Sequence, residues 1–119
     1  MRVLVCGGRD YSDKASLNQV LNEIHKIYRI TTIIEGDASG ADRLAGIWAR
    51  LHNVPNLKFP ARWRVHGRAA GHIRNKQMLE EGKPDLVIAF PGGRGTANMV
   101  EQAEQAGVIT VQAEDVSSM

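Results

Sequence analysis

Residues 85–96 read Asp85-Leu86-Val87-Ile88-Ala89-Phe90-Pro91-Gly92-Gly93-Arg94-Gly95-Thr96, and this stretch decides the fold. An apolar run typical of a buried strand ends in a glycine-rich turn, which continues into the helix-like residues 97–106. At such a junction the backbone N–H groups point at whatever lies above the helix start, where the dipole favours negative charge. We therefore predict a phosphate-bearing ligand here, with Thr96 as the N-cap residue. The alternative is a tight turn without a ligand.

The length and composition indicate one soluble globular domain, residues 1–119. Of the 119 residues, 43% are apolar and 24% are charged, and a formal net charge of +2 is too small to indicate nucleic-acid binding by itself. One cysteine excludes an internal disulfide and argues against a structural zinc site. The sequence contains neither a leader-like segment nor an apolar run of membrane-spanning length, so we expect a cytoplasmic protein without a membrane partner.

The periodicity of the apolar residues predicts an α/β fold. Short runs rich in β-branched residues predict five strands, at 2–6, 31–35, 56–60, 85–89 and 108–111. Apolar residues at three- and four-residue spacing predict helices at 12–28, after Gly40, at 69–81 and at 96–106, with a polar loop at 61–68. Strands that alternate with helices form a doubly wound parallel five-stranded sheet, and right-handed crossovers place helices on both faces.

Glycine-rich turns follow three of the predicted strands. They are Gly7-Gly8 after the first strand, residues 36–40 after the second and residues 92–95 after the fourth. The carboxyl ends of parallel strands lie at one edge of the sheet, and ligands bind there where the winding reverses. We expect the three turns to meet and to form one site.

A basic segment, residues 62–76, follows the third predicted strand. It contains no acidic residue, and its ionisable side chains are Arg62, Arg64, His66, Arg68, His72, Arg74 and Lys76. This concentration of cations predicts contact with anionic groups. For Arg62, Arg64 and Arg68, a basic surface that is exposed to solvent and binds no ligand is an equal alternative. Arg74 and His72 lie near a predicted helix start, where a cation opposes the dipole, so an anion between them is the better explanation.

Two tryptophans and the cysteine receive different interpretations. Trp63 lies in the polar loop, where it can either stack on a base or form a hydrophobic lid. Trp48 lies on the apolar side of the second helix and is predicted to be part of the core or of a subunit interface. Cys6 ends a buried strand and is interpreted as a small buried residue rather than as a nucleophile.

Four acidic residues lie near the predicted ligand edge: Asp10, Glu35, Asp37 and Asp42. Asp42 falls in the first turn of the second helix, where a carboxylate interacts favourably with the helix dipole whether or not it also contacts a ligand. Together the acids could hold Mg²⁺ between phosphate groups, but their spacing matches no metal-binding pattern. The sequence therefore assigns no cofactor.

The motifs resemble, in order, those of the YspA-like, YpsA-related branch of the SLOG superfamily. They are Gly7-Gly8-Arg9-Asp10-Tyr11, residues 36–42, Trp63 with Gly71, Arg74-Asn75 and Met78, and residues 91–96. The resemblance implies a Rossmann-like fold and a homodimer or larger assembly. The superfamily includes nucleotide-sensing domains, DNA-processing proteins of the DprA type and the "lonely guy" phosphoribohydrolases, which cleave the N-glycosidic bond of nucleoside monophosphates.

The turns and the resemblance together define a set of candidate ligand-binding residues. These are Gly7, Gly8, Arg9, Asp10, Gly36, Asp37, Gly40, Ala41, Asp42, Trp63, His72, Arg74, Asn75, Pro91, Gly92, Gly93, Arg94, Gly95 and Thr96. The favoured function is the binding of a nucleotide or a nucleotide-derived ligand, as a sensor or binding module. Single-stranded DNA binding, indicated by the basic segment and Trp63, is an alternative.

A further alternative is an N-glycosidic hydrolase. The hydrolase branch carries a histidine-x-arginine motif, which residues 72–74 resemble, and a glutamate two or three residues after the threonine of its glycine-rich motif. This chain has Asn98 and Met99 at those two positions, and Glu101 follows Asn98 by one helical turn on roughly the same face. In an enzyme, we expect Arg74 to hold phosphate or ribose, and Glu101 or Asp42 to orient water.

Overall fold

The computed structural model describes residues 1–118 as a parallel sheet with helices on both faces. The strands are β1 (Arg2–Cys6), β2 (Thr32–Glu35), β3 (Asn56–Lys58), β4 (Leu86–Ala89) and β5 (Ile109–Gln112). The helices are α1 (Lys14–Tyr28), α2 (Ala41–Leu51), the single turn α3 (Trp63–His66), α4 (Ala70–Gly82) and α5 (Arg94–Gln105). Short 3-10 segments span Gly67–Ala69 and Ala113–Ser118.

The five strands have the order β3-β2-β1-β4-β5, and every neighbouring pair is parallel. Leu4 of β1 pairs with Ile34 of β2 on one side and with Val87 of β4 on the other. The chain first winds outwards from β1 to β3 and then crosses back to β4, so the winding reverses between β1 and β4. The predicted doubly wound, Rossmann-like α/β fold is confirmed.

Each face of the sheet carries its own hydrophobic core. Val3, Val5 and Ile33 pack with α1 and α2, whereas Leu4 and Ile34 pack with α4 and α5. Successive side chains of a strand point to opposite faces, so strands covered on both sides are apolar without interruption. This explains why β1, β2 and β4 are almost fully buried.

Trp48 belongs to the core of the α1 and α2 face. It is 1% exposed, and its indole N–H donates to Asn22 Oδ1 at 2.9 Å. The imidazole ring of His52 stacks on it, with ring centroids 4.1 Å apart. Of the two predicted roles, the core is therefore confirmed, and a buried side chain of this kind is not available to a second subunit.

The start of α1 agrees with the sequence, in which Ser12 or Asp13 can cap the helix, whereas two other helix starts differ from the predictions. Helix α1 is capped by Asp13, whose carboxylate accepts from the Ser16 N–H at 3.0 Å. Helix α5 begins at Arg94 with Gly93 as its N-cap, so the prediction of Thr96 as the N-cap is wrong; Thr96 lies in the first turn and contacts Gly92. The predicted loop at 61–68 contains the short α3.

Within residues 1–118, none of the helices combines the length and the apolar character that crossing a membrane requires.

Candidate ligand-binding cleft

The turns after β1 and β4 lie side by side at the point where the winding reverses. The N–H of Phe90 donates to the Cys6 carbonyl at 2.8 Å, and the N–H of Gly8 donates to the Pro91 carbonyl at 2.8 Å. These two hydrogen bonds extend the β1 and β4 pairing by one step beyond the strands. Beyond this point the two turns diverge, because each chain passes towards its own helix.

The turn after β2 joins them through the start of α2. The N–H of Ala41 donates to the Gly8 carbonyl at 3.2 Å, and Gly40 takes a positive φ of 77° beneath the same loop. A Cβ on Gly7 would lie 2.6 Å from the Ala41 Cβ and 2.9 Å from the Phe90 Cβ. Glycine at position 7 therefore allows all three turns to approach one another, as the sequence predicts.

The three turns enclose a cleft of about 570 Å³. Helices α3 and α4 form its other wall, and its lining combines backbone with basic side chains. The lining residues are Cys6, Gly7, Gly8, Arg9, Ala38, Asp42, Trp63, Arg68, Gly71, His72, Arg74, Asn75, Met78, Gly93, Arg94, Gly95 and Thr96. We call this the switch-point cleft.

Arg74 reaches into the switch-point cleft from the first turns of α4 and is held in a fixed position. Its Nη1 donates to the Gly36 carbonyl at 2.6 Å, and its Nε donates to Asn75 Oδ1 at 3.1 Å. A Cβ on Gly36 would overlap the guanidinium group. Among the described residues, the hydrogen bonds of Arg74 use Nη1 and Nε, and none uses Nη2.

Asp42 is buried beside Gly36, on the side of the turn where the Arg74 guanidinium group also lies. Its Oδ2 accepts from the N–H groups of Gly36 and Ala38, each at 3.2 Å. Burial raises the pKa of Asp42 to about 6, although both hydrogen bonds and Arg74 favour the charged carboxylate. The cleft therefore holds one carboxyl group that exchanges protons close to neutrality.

Amide side chains tie α4 to α5 below the glycine-rich turn. Asn75 Nδ2 donates to the Gly95 carbonyl at 3.2 Å and to Asn98 Oδ1 at 3.1 Å. Gln102 Nε2 donates to the same Asn98 oxygen at 2.7 Å. Asn98 occupies a position where the hydrolase motif has a glutamate, and its amide oxygen is engaged in this contact between helices.

Trp63 stands at the mouth of the switch-point cleft with 47% of its surface exposed. The guanidinium carbon of Arg9 lies 5.0 Å from the centroid of its ring, within the range of a cation–π contact. Gly71 of α4 lies beside the ring, where a Cβ would be 3.6 Å from Trp63 Cη2. An aromatic surface and two arginines, Arg9 and Arg74, therefore face the same space.

Several candidate residues support the cleft without lining it. The carbonyl of Gly36 holds Arg74, Gly40 provides the sharp turn before α2, and Ala41 packs against Gly7. Pro91 and Gly92 hold the turn against Gly8 and border a neighbouring groove.

Three predicted residues lie elsewhere. Asp10 is exposed and lines none of the clefts described here. Asp37 takes a φ of 57° in the turn and lies 4.0 Å from Lys58 Nζ, beside a separate cleft that also contains Glu35. Glu101 points away from Asn98 into a groove on the other side of α5, so the structure does not bring it together with Arg74.

Cys6 lies at the floor of the switch-point cleft and is 6% exposed. Burial raises the pKa of its thiol to about 12, with the negative charge of Asp42 as a smaller cause. A thiol that stays protonated at neutral pH is a poor nucleophile. The interpretation of Cys6 as a small buried residue is confirmed.

The sequence alone assigns no role to Asn98, Gln102 and Ala38, which build or line the site. An asparagine and a glutamine one turn apart on a helix are a usable signal, because amide groups that are partly shielded from water need hydrogen-bond partners. The acids proposed for Mg²⁺ are dispersed: within residues 1–118 no three histidine, cysteine, aspartate or glutamate side chains gather in a metal-binding group.

The parallel sheet and the cleft where its winding reverses define a Rossmann-like α/β protein. The model of the YspA, cpYpsA-related SLOG family (YAcAr) matches residues 1–66, and the chain belongs to this family. The matched segment contains the first two glycine turns and ends at α3, before Arg74 and the third turn. The predicted resemblance is thus confirmed.

Two known proteins extend the comparison over the rest of the chain. The Gene 61 protein of Mycobacterium phage D29 is 35% identical over 115 residues, which cover 90% of this chain and 91% of that protein. The X-ray structure of DNA processing protein A (DprA) from Streptococcus pneumoniae matches 98% of this chain with a TM-score of 0.54 and 17% identity. This chain corresponds to 60% of the DprA chain, so the likeness concerns the fold of one part of it.

Proposed function

We propose that this protein binds a nucleotide or a nucleotide-derived ligand in the switch-point cleft, as a sensor or binding module. The observation that carries the proposal is the position of Arg74, Trp63 and the start of α5 around one cavity. The N–H groups of the first helical turn have no acceptor within the helix, so they bind an anionic group well. An exposed aromatic ring beside them suits a base.

The charges in the cleft support an anionic ligand. Arg9, Arg68, Arg74 and Arg94 line it, together with one acidic residue, Asp42. Arg74 is half-buried, and burial lowers its pKa, which indicates that its charge lacks full solvation. A phosphate that accepts from Nη2 would restore part of that solvation by a charge-assisted hydrogen bond.

A thermal-shift experiment with a panel of nucleoside mono-, di- and triphosphates and their derivatives tests the proposal. A ligand that binds only the folded state raises the melting temperature by mass action. If no member of a broad panel changes the melting temperature at millimolar concentration, the proposal loses its support.

The variant Gly93→Val links such a shift to the cleft. No heavy atom lies within 4 Å of a Cβ added at Gly93, and its φ of −105° is not left-handed, so the valine Cβ meets no clash and we expect the variant to fold. The ψ of −140° lies outside the usual β region, which adds to the cost in stability. Valine is a weaker N-cap, which lowers the basal melting temperature by a few degrees, about 1 kcal/mol of stability. The ligand-induced shift should disappear in Gly93→Val and persist in Ala106→Val, which introduces the same side chain at the exposed other end of α5.

A second candidate function, N-glycosidic hydrolysis of a nucleoside monophosphate, is favoured by one observation. Asp42, with its pKa raised to about 6, lies in the same cleft as Arg74. A carboxyl group that is mostly ionised at pH 7 can orient water near a sugar, while Arg74 holds the phosphate. Glu101 lies in a different groove, so Asp42 is the better candidate for this role.

Release of free base, measured by chromatography over hours with excess protein, tests the hydrolase. Asp42→Asn keeps an oxygen that accepts from Gly36 and Ala38 but removes the ionisable group, so it should abolish any release while the protein stays folded. Wild-type protein that releases no base from any common nucleoside monophosphate excludes this function and leaves ligand binding in place.

Single-stranded DNA binding is the third candidate and follows from the exposed Trp63 beside the basic residues 62–68. Phosphate contacts give a steep dependence of affinity on salt, whereas a single nucleotide shows a shallow one. Titration of a fluorescent oligonucleotide at several salt concentrations distinguishes the two, and no binding at low salt removes this candidate.

We also propose that the protein forms a homodimer or larger assembly, as the family resemblance implies. Sedimentation at several protein concentrations tests this, and a monomer at all of them would contradict it.

A further inference from the structure

A second cleft lies at the β3 edge of the sheet, between α2 and β3, and we call it the edge cleft. It has a volume of about 540 Å³, and among residues 1–118 it shares no lining residue with the switch-point cleft. Glu35, the last residue of β2, lines the edge cleft and is 1% exposed. Arg43, Arg50 and Lys58 line it too, and all three are exposed. The edge cleft thus combines a buried carboxyl group with basic side chains at its mouth.

Glu35 has one carboxyl oxygen that the chain leaves free. Its Oε1 accepts from the N–H of Asp37, whereas Oε2 takes part in no hydrogen bond among the described residues. In these residues no fully buried side-chain oxygen or nitrogen lacks a partner, so Oε2 must contact the open space of the edge cleft. Carboxyl groups that are buried normally have their hydrogen bonds completed. This oxygen therefore points to a partner from outside the chain.

Asn56 of β3 presents a second acceptor beside Oε2. Its Nδ2 donates to the Ile33 carbonyl at 3.2 Å, and among the described residues its Oδ1 takes part in no hydrogen bond. A Cβ on Gly46 of α2 would lie 2.9 Å from Glu35 Oε2 and 3.0 Å from Asn56 Oδ1. The two oxygens therefore converge on a space that Gly46 leaves open, and one donor group can contact both. An ammonium group, with three N–H donors and no acceptor, matches such a pair.

The other charges of the edge cleft favour a ligand that also carries an anionic group. Lys58 Nζ lies 4.0 Å from Asp37 Oδ1, so these two charges partly compensate each other. Arg43 and Arg50 form no salt bridge among the described residues, and they lie on either side of Gly46 along α2. Guanidinium groups bind carboxylates with two parallel hydrogen bonds. The same arginines repel a metal ion or a polyamine, which carry no anionic group.

The protonation of Glu35 supports a positive charge next to Oε2. Burial raises the pKa of its carboxyl to about 7; the Asp37 N–H and Lys58 oppose the rise, and the charges of Asp42 and Asp37 add to it. A cationic group beside Oε2 would favour the ionised carboxylate and offset part of the cost of its burial.

We infer that the edge cleft binds an α-amino acid in its zwitterionic form. The ammonium group donates to Glu35 Oε2 and Asn56 Oδ1, and the carboxylate accepts from an arginine of α2. Ile47 and Val54 also line the edge cleft and suit an aliphatic side chain. This site is separate from the proposed nucleotide site and does not depend on it.

NMR titration of the ¹⁵N-labelled protein at pH 8 tests the inference, with leucine, isoleucine, valine and methionine as probes. At least one of them should bind and shift the resonances of the Gly46 N–H and of the Asn56 side-chain amide. The N-acetyl derivative lacks the ammonium group, and the corresponding alkylamine lacks the carboxylate. Each should bind at least about tenfold more weakly than the amino acid, because hydrogen bonds to charged groups are the stronger kind.

Two variants connect binding to the edge cleft. Glu35→Gln keeps an oxygen for the Asp37 N–H but removes the charge, and it should weaken binding by at least about tenfold. Gly46→Ala keeps every charge and favours the helix, but its methyl group occupies the space between the two oxygens and should abolish binding. The atoms that this methyl group meets are the ends of side chains, which can move aside, so we expect the variant to fold.

Matched controls make the same changes elsewhere. Glu104→Gln removes a negative charge from an exposed position of α5, and Gly95→Ala adds a methyl group to a helical glycine outside the edge cleft. Both variants should bind the amino acid as wild type does.

Each other outcome overturns the inference. Failure of all four amino acids to bind at millimolar concentration would do so and would leave nucleotide binding untouched. An N-acetyl derivative or an alkylamine that binds as tightly as its amino acid would show that the edge cleft does not recognise a zwitterion. Unchanged binding in Glu35→Gln or in Gly46→Ala would show that the amino acid binds elsewhere.

Discussion

The guanidinium group of Arg9 lies over the ring of Trp63, 5.0 Å from its centroid, at the mouth of the switch-point cleft. In the proposed nucleotide complex, a base that stacks on the face of the ring covered by Arg9 displaces Arg9, which then becomes available to a phosphate. Under the proposed function, the contact couples recognition of the base to recognition of the phosphate. In the free protein it also protects an aromatic surface that would otherwise be fully exposed.

We expect ligand binding to change the fluorescence of Trp63. Trp48 is buried and distant in the core, so the change should come from the exposed ring. In Trp63→Leu the ligand-dependent change should disappear, and the affinity should fall by about tenfold, since a stacked base contributes about 1–3 kcal/mol. A variant that retains both the signal and the affinity would contradict a stacked base.

Arg74 should be necessary for affinity and should resist conservative replacement. Lysine keeps the charge but cannot donate at once to the Gly36 carbonyl, Asn75 and an anion in a fixed geometry. We expect Arg74→Lys to weaken ligand binding by at least about tenfold, corresponding to about 1.4 kcal/mol. Arg64→Lys, in the exposed part of the basic segment, serves as the control and should bind normally.

Glycine at position 7 should be required for stability rather than for ligand contact alone. The added methyl group of Gly7→Ala would lie 2.6 Å from the Ala41 Cβ, so α2 must shift. We expect a loss of about 1–3 kcal/mol in the free energy of unfolding by urea.

Gly95→Ala tests a glycine that has free space around it, in contrast to Gly7. No heavy atom lies within 4 Å of the added Cβ, and alanine favours the helix by up to about 1 kcal/mol. A loss of stability in Gly95→Ala as large as that in Gly7→Ala would mean that space around the glycine is not the deciding factor.

Glu35 should make the protein less stable as the pH rises. Burial raises its pKa from 4.5 to about 7, so the folded state holds a proton that the unfolded state has lost between these values. Stability then falls with rising pH across this window, by on the order of 2 kcal/mol for this residue. Glu35→Gln keeps an oxygen for the Asp37 N–H and removes the titration.

The measurement is the free energy of unfolding of wild type and Glu35→Gln at pH 5 and pH 8. The variant should gain relative to wild type at pH 8 and show little difference at pH 5. A constant difference between the two proteins at both values would show that the Glu35 carboxyl does not carry this dependence.

The sequence predicts that the three glycine turns converge, because their convergence depends only on the order and direction of the strands. Gly7 and Gly40 could be placed at one sheet edge without knowledge of any side chain. The positions of the Asp37 and Asp42 side chains could not be predicted in this way, although the two residues are only five positions apart. Asp37 takes a left-handed conformation that directs it to Lys58, whereas Asp42 turns inwards with α2.

The orientation of α5 explains why Asn98 and Glu101 lie on different sides of the helix. Asn98 and Glu101 are three residues apart, within one helical turn, and this spacing predicts that their side chains lie on roughly the same face of α5. Asn98 turns towards α4 because its oxygen accepts from Asn75 and Gln102, and Glu101 is then rotated to the β5 side. A tertiary contact between two amides therefore decides which carboxylate is near Arg74.

Asn75 links Arg74 to the start of α5, since its Oδ1 accepts from Arg74 and its Nδ2 donates to the Gly95 carbonyl. The guanidinium group and the start of α5 are therefore held together before any ligand arrives. Their conformational entropy is lost when the chain folds and not when the ligand binds, so little of the binding energy is consumed in ordering the site. For the anionic ligand that we propose, the hydrogen bonds of this one carboxamide therefore keep the cleft in its binding shape in advance.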